Sequence, residues 1–210
     1  MSSHYEDEAQ VEQLRRWWRE NWMALAGGLV LGLAGIFGWE AWQDSRAAKS
    51  EKASQIYEDL RKLGPDQAAR AAELGSSLTA DFAGTPYASQ AALQLANLAV
   101  QGGNFDEARK HLEWAVANSK DPGLKKIARL RLARVLWQLD RADDALKQLE
   151  VADDDAFAAL YQELRGDILL GKGDRAAARS AYEKALALGP QAASRQGLQR
   201  KLDDLAGVAS

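Results

Sequence analysis

Residues 166–190 read GDILLGKGDRAAARSAYEKALALGP, and the spacing within this stretch determines the predicted fold of most of the chain. Alanine and leucine dominate, and apolar residues recur at helical spacing rather than in strand-like alternation. Ala178 lies 12 residues after Gly166, and the bulky Tyr182 follows four residues later. Small side chains allow two helices to approach closely, while a bulky one fills the adjacent space. The stretch therefore predicts a helix–turn–helix unit.

The same spacing occurs twice more upstream. Ala108 and Ala145 superpose on Ala178, with separations of 37 and 33 residues. Each has a small residue 12 positions earlier, a large apolar residue four positions later and an alanine three positions beyond: Ala96, Leu112 and Ala115 in the first copy, Ala133, Leu149 and Ala152 in the second. The pattern resembles the tetratricopeptide repeat, a helix pair of about 34 residues. The second copy has no glycine at its turn, so the array is degenerate.

The segments on either side of the three copies also have helical periodicity. Residues 47–82 predict a weaker helix pair that is broken at Gly64-Pro65, because proline cannot continue a helix. Residues 191–207 predict a closing helix, as expected where a repeat array must cover its exposed end. We therefore predict that a helical-repeat domain occupies residues 47–210.

Residues 21–39, NWMALAGGLVLGLAGIFGW, contain no formal charge. A helix of this length covers about 28 Å, close to the roughly 30 Å hydrocarbon core of a bilayer. Five tryptophans flank or end the stretch, where indole rings prefer the headgroup region: Trp17, Trp18, Trp22, Trp39 and Trp42. A cleaved signal peptide is the closest alternative, but the apolar run exceeds the usual length of about 7–15 residues. We predict an uncleaved transmembrane helix.

The charges beside this helix give a weak indication of its orientation. Three arginines precede it within ten residues, and Arg46 and Lys49 follow it within the same distance; within twenty residues the two sides are equal. Positive residues favour the cytoplasmic side. The count leans towards a cytoplasmic tail of residues 1–20, with residues 40–46 as a juxtamembrane linker, and leaves the opposite orientation open.

Small residues recur along one side of the predicted transmembrane helix. Ala24, Gly28, Gly32 and Gly35 are spaced by four, four and three residues. A ridge of this kind allows another helix to approach closely in a membrane. Glycine is also common in membrane helices without any such role. The ridge is therefore a candidate helix-docking face.

Composition excludes several classes of function. The chain has no cysteine and two histidines, His4 and His111, and no pair of them has the spacing of a metal site, so we predict no metal and no cofactor. No nucleophile, base and orienting residue can be assembled, so we predict no enzymatic activity. From residue 43 onward, 24 basic residues balance 24 acidic ones, which argues against nucleic-acid binding.

In a tetratricopeptide array the first helix of each pair lines the concave face. Alignment of the three copies places nine residues there as a predicted protein-binding surface: Leu93, Asn97, Val100, Leu130, Arg134, Trp137, Leu160, Glu163 and Asp167. Such a mixture of apolar and polar side chains suits an extended or helical peptide. Core packing of Trp137 remains an equal alternative, and for Asn97 and Arg134 an ordinary surface role is favoured over carboxylate capture.

The chain as a whole resembles the YfgM family, ancillary subunits of the bacterial SecYEG translocon. The resemblance rests on YEDEAQVEQLRRWWRENWMALAGGLVLGLAGIFGWEAW, on LRLARVLWQLDRADDALKQLE and on the repeat LRGDILLGKGDRAAARSAYEKAL. It implies a single-pass protein of the bacterial inner membrane with a cytoplasmic N-terminus and a periplasmic repeat domain. It also implies association with SecYEG, with a membrane-anchored chaperone of the PpiD type and with unfolded envelope proteins, and a link to the Rcs envelope-stress response. A scaffold that faces the cytoplasm and recruits a soluble partner is the alternative.

Overall fold

The computed structural model describes residues 3–150, 156–189 and 192–207. The regular structure in these ranges is helical, which confirms the predicted all-α class. The helices are α1 (Ser3–Arg61), α2 (Ala68–Asp81), α3 (Pro86–Gln101), α4 (Phe105–Asn118), α5 (Pro122–Gln138), α6 (Ala142–Gln148), α7 (Ala158–Gly171), α8 (Arg175–Ala187) and α9 (Ala192–Gly207). A short 3-10 turn, Pro65–Gln67, separates α1 from α2.

The chain divides into two units, Met1–Lys49 and Ser50–Ser210. The first consists of the N-terminal part of α1, in which residues 40–46 are helical. An 18-residue window of α1 has a mean hydropathy of 1.7, and none of that window is buried. A helix satisfies its own backbone hydrogen bonds, so an exposed apolar helix suits lipid better than water. Within the described residues, α1 is the helix that is long and apolar enough to cross a membrane.

The helix boundaries of the second unit follow local sequence signals. Pro86 and Pro122 stand in the first turns of α3 and α5, where a missing N–H costs nothing. The Asp121 carboxylate accepts hydrogen bonds from the backbone N–H groups of Gly123 and Leu124, at 2.7 and 3.1 Å, and so caps α5. Proline thus marks the start of α3, and proline together with a polar cap marks the start of α5.

The repeat positions recognised in the sequence form the centres of the helix pairs α3–α4, α5–α6 and α7–α8. Ala108, Ala145 and Ala178 are each 0% exposed. Their predicted partners are also buried: Ala96, Ala133 and Gly166 on the first helices, Leu112 and Tyr182 on the second helices, and Leu149 directly after α6. Ala152, predicted at the equivalent of Ala115, lies outside the described residues. The small residues therefore stand where the paired helices are in contact.

In the third pair, the bulky residue is larger and the small residue is smaller than in the other two pairs. A Cβ atom at Gly166 would lie only 2.3 Å from Cε1 of Tyr182. The equivalent pairs earlier in the chain are Ala96 with Leu112 and Ala133 with Leu149. Glycine is required in the third copy because its bulky residue is an aromatic ring.

Both ends of the array carry additional helices. At the N-terminal end, Ala53 and Leu60 of α1 form a buried cluster with residues of α2 and α3. At the C-terminal end, Leu198 of α9 is 0% exposed and packs in a cluster with Ala178 and Tyr182 of α8. Such helices cover apolar faces that would otherwise meet water.

We predict that Gly166→Ala destabilises the array by about 1–3 kcal/mol, because the added methyl group overpacks the contact with Tyr182. The sign of this stability change is informative. Alanine favours a helix over glycine by about 1 kcal/mol where space is available, so without the clash the same substitution would raise stability. Chemical denaturation of the full chain in a neutral detergent, followed by circular dichroism, measures the change.

Gly197→Ala is the matched control, because no atom lies within 4 Å of a Cβ at that position in α9. It should leave stability unchanged or raise it by about 0.5–1 kcal/mol. Equal stability of the two variants would show that the Gly166–Tyr182 contact is not tight.

Candidate protein-binding site

A groove of about 330 Å³ opens between α3, α4 and α5. Its lining comes from all three helices: Ala96, Asn97, Val100, Phe105, Leu112, Arg131, Arg134, Val135 and Gln138. α3 and α5 are the first helices of successive pairs, and α4 lies between them in the chain. The groove is therefore built by the same helix pairing that forms the core.

The floor of the groove is apolar, and its charged groups are all cationic. Leu112 and Val135 are 1% and 5% exposed, whereas Val100 is 38% exposed. The charged lining residues are Arg131 and Arg134, and no acidic side chain lines the groove. Apolar contact with a few orienting polar groups is the usual chemistry of a recognition site.

Three of the nine predicted binding residues, Asn97, Val100 and Arg134, line this groove. Leu93 and Leu130 are not among its lining residues. Each is only 7% exposed and belongs to the central core cluster, which corrects their predicted place on the surface. The spacing of a degenerate repeat did not reveal this core packing.

Trp137 lies at the contact between α5 and α7. It is half-buried and packs against the central core cluster. A Cβ at Gly171 of α7 would lie 3.0 Å from its Cζ2 atom, so the indole covers this glycine closely. The Tyr161 hydroxyl of α7 joins the same two helices, since it donates to the Lys126 carbonyl oxygen at 2.7 Å. Trp137 thus has a packing role in the array.

The predicted binding residues on α7 have two different environments. Leu160 is 39% exposed, whereas Glu163 and Asp167 form ion pairs with Lys201 of α9, at 2.9 and 2.7 Å. The Tyr182 hydroxyl also donates to Asp167, at 2.7 Å. Both carboxylates are therefore held by the closing helix and are not presented as a free acidic surface.

Lys201 is the centre of this cluster. Burial lowers its pKa, but the hydrogen bonds and charges of Asp167 and Glu163 outweigh that effect, so the pKa of Lys201 is raised. Burial, and then the Asp167 carboxylate, raise the pKa of Tyr182 well above its usual range. At neutral pH the lysine is charged and the phenol is neutral, as this network of contacts requires.

The groove also contains residues that the sequence analysis missed: Phe105, Arg131 and Gln138. Arg131 and Gln138 stand three residues before and four residues after Arg134, which places them on the same face of α5. That spacing is a signal that could have identified them. Nothing in the repeat pattern singles out Lys201, which reaches across 34 and 38 residues of sequence to its two partners.

The one histidine of the array is His111, on α4. Its Nε2 atom lies 3.5 Å from Glu107, and burial lowers the pKa of the imidazole. The described residues contain no cluster of three histidine, cysteine or carboxylate side chains that would hold a metal ion. The chemistry of the described site is therefore that of apolar contacts, hydrogen bonds and ion pairs.

In the N-terminal unit, Ala24, Gly28, Gly32 and Gly35 are exposed. Beyond the neighbouring turns of α1, no atom lies within 4 Å of a Cβ built at any of the three glycines. Their spacing places them along one side of the helix. Among the described residues, none covers this ridge, so it is free to contact another helix.

The fold and site define a class of protein: a helical-repeat array with an open groove, preceded by a helix long and apolar enough to cross a membrane. A profile of the tetratricopeptide repeat-like domain matches residues 15–207. Proteins named "Ancillary SecYEG translocon subunit" are similar over almost the whole chain. The Haemophilus influenzae protein is 34% identical over 206 residues, which cover 98% of this chain and 100% of the relative. The Escherichia coli protein is 34% identical over 202 residues, with 96% and 98% covered.

A more distant relative in Neisseria gonorrhoeae, of the same name, is 29% identical over 209 residues and covers 98% of this chain and 100% of its own length. The chain belongs to this family, the YfgM family of ancillary SecYEG translocon subunits.

We predict that Trp137→Ala lowers the free energy of unfolding by about 2 kcal/mol or more, because truncation leaves a cavity between α5 and α7. Val100→Ala in the groove should change stability by less than about 0.5 kcal/mol, as is usual for exposed positions. Denaturation of both variants in the full chain distinguishes packing from surface exposure. A Trp137→Ala protein as stable as the wild type would return this residue to the binding surface.

Proposed function

We propose that this chain is a single-pass inner-membrane subunit that associates with the SecYEG translocon. Its repeat domain lies in the periplasm and binds segments of other proteins, namely a PpiD-type anchored chaperone and unfolded envelope proteins. The observation that carries the proposal is the open apolar groove in an array that follows a transmembrane helix, in a chain whose relatives are named for the translocon.

The exposed apolar side chains of the array support a protein-binding role. In the described part of Ser50–Ser210, the exposed large apolar residues are Val100, Leu160 and Leu170. All three lie on α3 or α7, the first helices of their pairs, which line the inner face of a tetratricopeptide array. Exposed apolar residues on these helices favour a partner with apolar side chains of its own.

The periplasmic orientation rests on the charges next to the transmembrane helix and on the family. Arg15, Arg16 and Arg19 precede the apolar stretch and favour a cytoplasmic N-terminus. With one transmembrane helix, the repeat domain is then on the opposite side.

Topology reporters test this orientation directly. Alkaline phosphatase fused after Ser210 should be active, because that enzyme acquires its disulfides only outside the cytoplasm. Green fluorescent protein fused before Met1 should fluoresce. An inactive phosphatase together with a cytoplasmic signal from the C-terminus would favour the alternative, a scaffold that recruits a soluble partner from the cytoplasm.

The ridge of small residues is proposed as the face that contacts the translocon within the membrane. Gly28→Leu with Gly32→Leu keeps the helix apolar but blocks close helix approach, so co-purification with SecYEG should fall while membrane insertion persists.

Gly27→Leu is the matched control for this experiment. It adds the same side chain at a glycine that also has no neighbour within 4 Å, but about 100° around the helix from Gly28. Loss of SecYEG in both cases would indicate a general effect on the helix, and retention in both would locate the association elsewhere in the chain.

A further inference from the structure

The charged residues of α5 are all positive. Its 17 residues include five cations and no acid: Lys125, Lys126, Arg129, Arg131 and Arg134. The chain from residue 43 onward is neutral, with 24 basic and 24 acidic residues, so this helix concentrates positive charge that is balanced elsewhere. Two of the five cations, Arg131 and Arg134, line the groove between α3 and α5.

These two arginines have no carboxylate partner in the described part of the chain. Other arginines of the array do: Arg109 pairs with Glu113 at 2.8 Å, and Arg179 with Glu183 at 2.9 Å. Because the groove lining contains no acid, both guanidinium groups remain available to a ligand. An unpaired guanidinium beside an apolar floor favours a ligand that brings its own negative charge.

We infer that the groove selects acidic segments of partner proteins. A segment would place an apolar side chain on the floor near Val100 and Leu112, and a glutamate or aspartate carboxylate against Arg131 and Arg134. Arg131 and Arg134 are three residues apart on one face of α5, a spacing at which two side chains reach the same group. A guanidinium binds a carboxylate through two parallel hydrogen bonds, which lysine does not offer. This inference rests on the proposed function and adds the chemistry of its ligand.

The polar groups around the groove favour a peptide over a small anion. Its volume of about 330 Å³ is sufficient for side chains of a bound segment. Asn97 and Gln138 add amide groups at the rim, which match the hydrogen-bonding groups of a peptide backbone. Leu160 and Leu170 on α7, the first helix of the third pair, are further exposed apolar residues of the array.

Two short synthetic peptides provide the test. One contains leucine and glutamate in equal numbers without helical periodicity, and the other has glutamine at every glutamate. Both carry fluorescein and are titrated against the full chain in phosphatidylcholine nanodiscs, with fluorescence anisotropy as the readout. The acidic peptide should bind roughly tenfold more tightly or better, the usual effect of a charge-assisted hydrogen bond. Added salt should reduce the difference.

The variant Arg131→Gln/Arg134→Gln should bind the two peptides equally. Arg129→Gln/Lys125→Gln removes the same charge from the same helix at positions outside the groove, and should preserve the preference for the acidic peptide. Circular dichroism of each variant checks that the array is folded. Equal affinity of the wild type for both peptides, or no binding of either, overturns the inference. An equal loss in the control variant also overturns it, because bulk charge would then explain the preference.

A soluble short-chain phosphatidylglycerol serves as a competitor. If it displaces the acidic peptide through the two arginines far better than short-chain phosphatidylcholine does, the groove binds anionic lipid and the peptide inference is overturned. Co-purification with SecYEG reports on the proposed function separately. An absent acidic preference with intact co-purification would overturn only the ligand chemistry, whereas loss of co-purification with an intact preference would count against the translocon role.

Discussion

Close contact between paired helices at small residues is the constraint on which the array depends. Ala108, Ala145 and Ala178 are fully buried, and each faces a first helix that also presents a small residue. A larger side chain at any of these positions would separate the helices and disturb the next pair, because interiors are packed without spare volume. The glycine opposite Tyr182 shows how strict this limit is. The repeated spacing of small and bulky residues in the sequence follows from that limit.

Helix pairing of this kind also creates the surface available for binding. Each pair buries one side of its first helix and leaves another side facing the inner surface of the array. On α3 and α5 that side forms a groove with an apolar floor and an arginine-bearing rim. On α7 it bears Glu163 and Asp167, whose charges Lys201 compensates. The first two copies therefore present a cationic groove, and the third presents acidic residues that a lysine neutralises. The cores of all three copies nevertheless use the same pairing of small and bulky residues.

The sequence was sufficient for the parts of the structure that local periodicity controls. The long apolar N-terminal helix follows from an uncharged run of sequence, and the three helix pairs with their small and bulky positions follow from spacing. The side chains of the inner face were less predictable, because a rotation of part of a turn decides whether a leucine is buried or exposed. Leu93 and Leu130 became core residues for this reason. The environment of Glu163 and Asp167 depends on Lys201, which lies 38 and 34 residues away and outside the repeat pattern.

The closing helix has a bearing on self-assembly. A stack of similar helix pairs has two ends of related shape, and such ends can join head to tail into an open filament. Here α9 lays Leu198 and Leu205 over the last pair and joins Lys201 to the acids of α7. The apolar face that a second array would extend is thereby occupied by the chain itself. An end closed in this way opposes head-to-tail growth of the array into a filament.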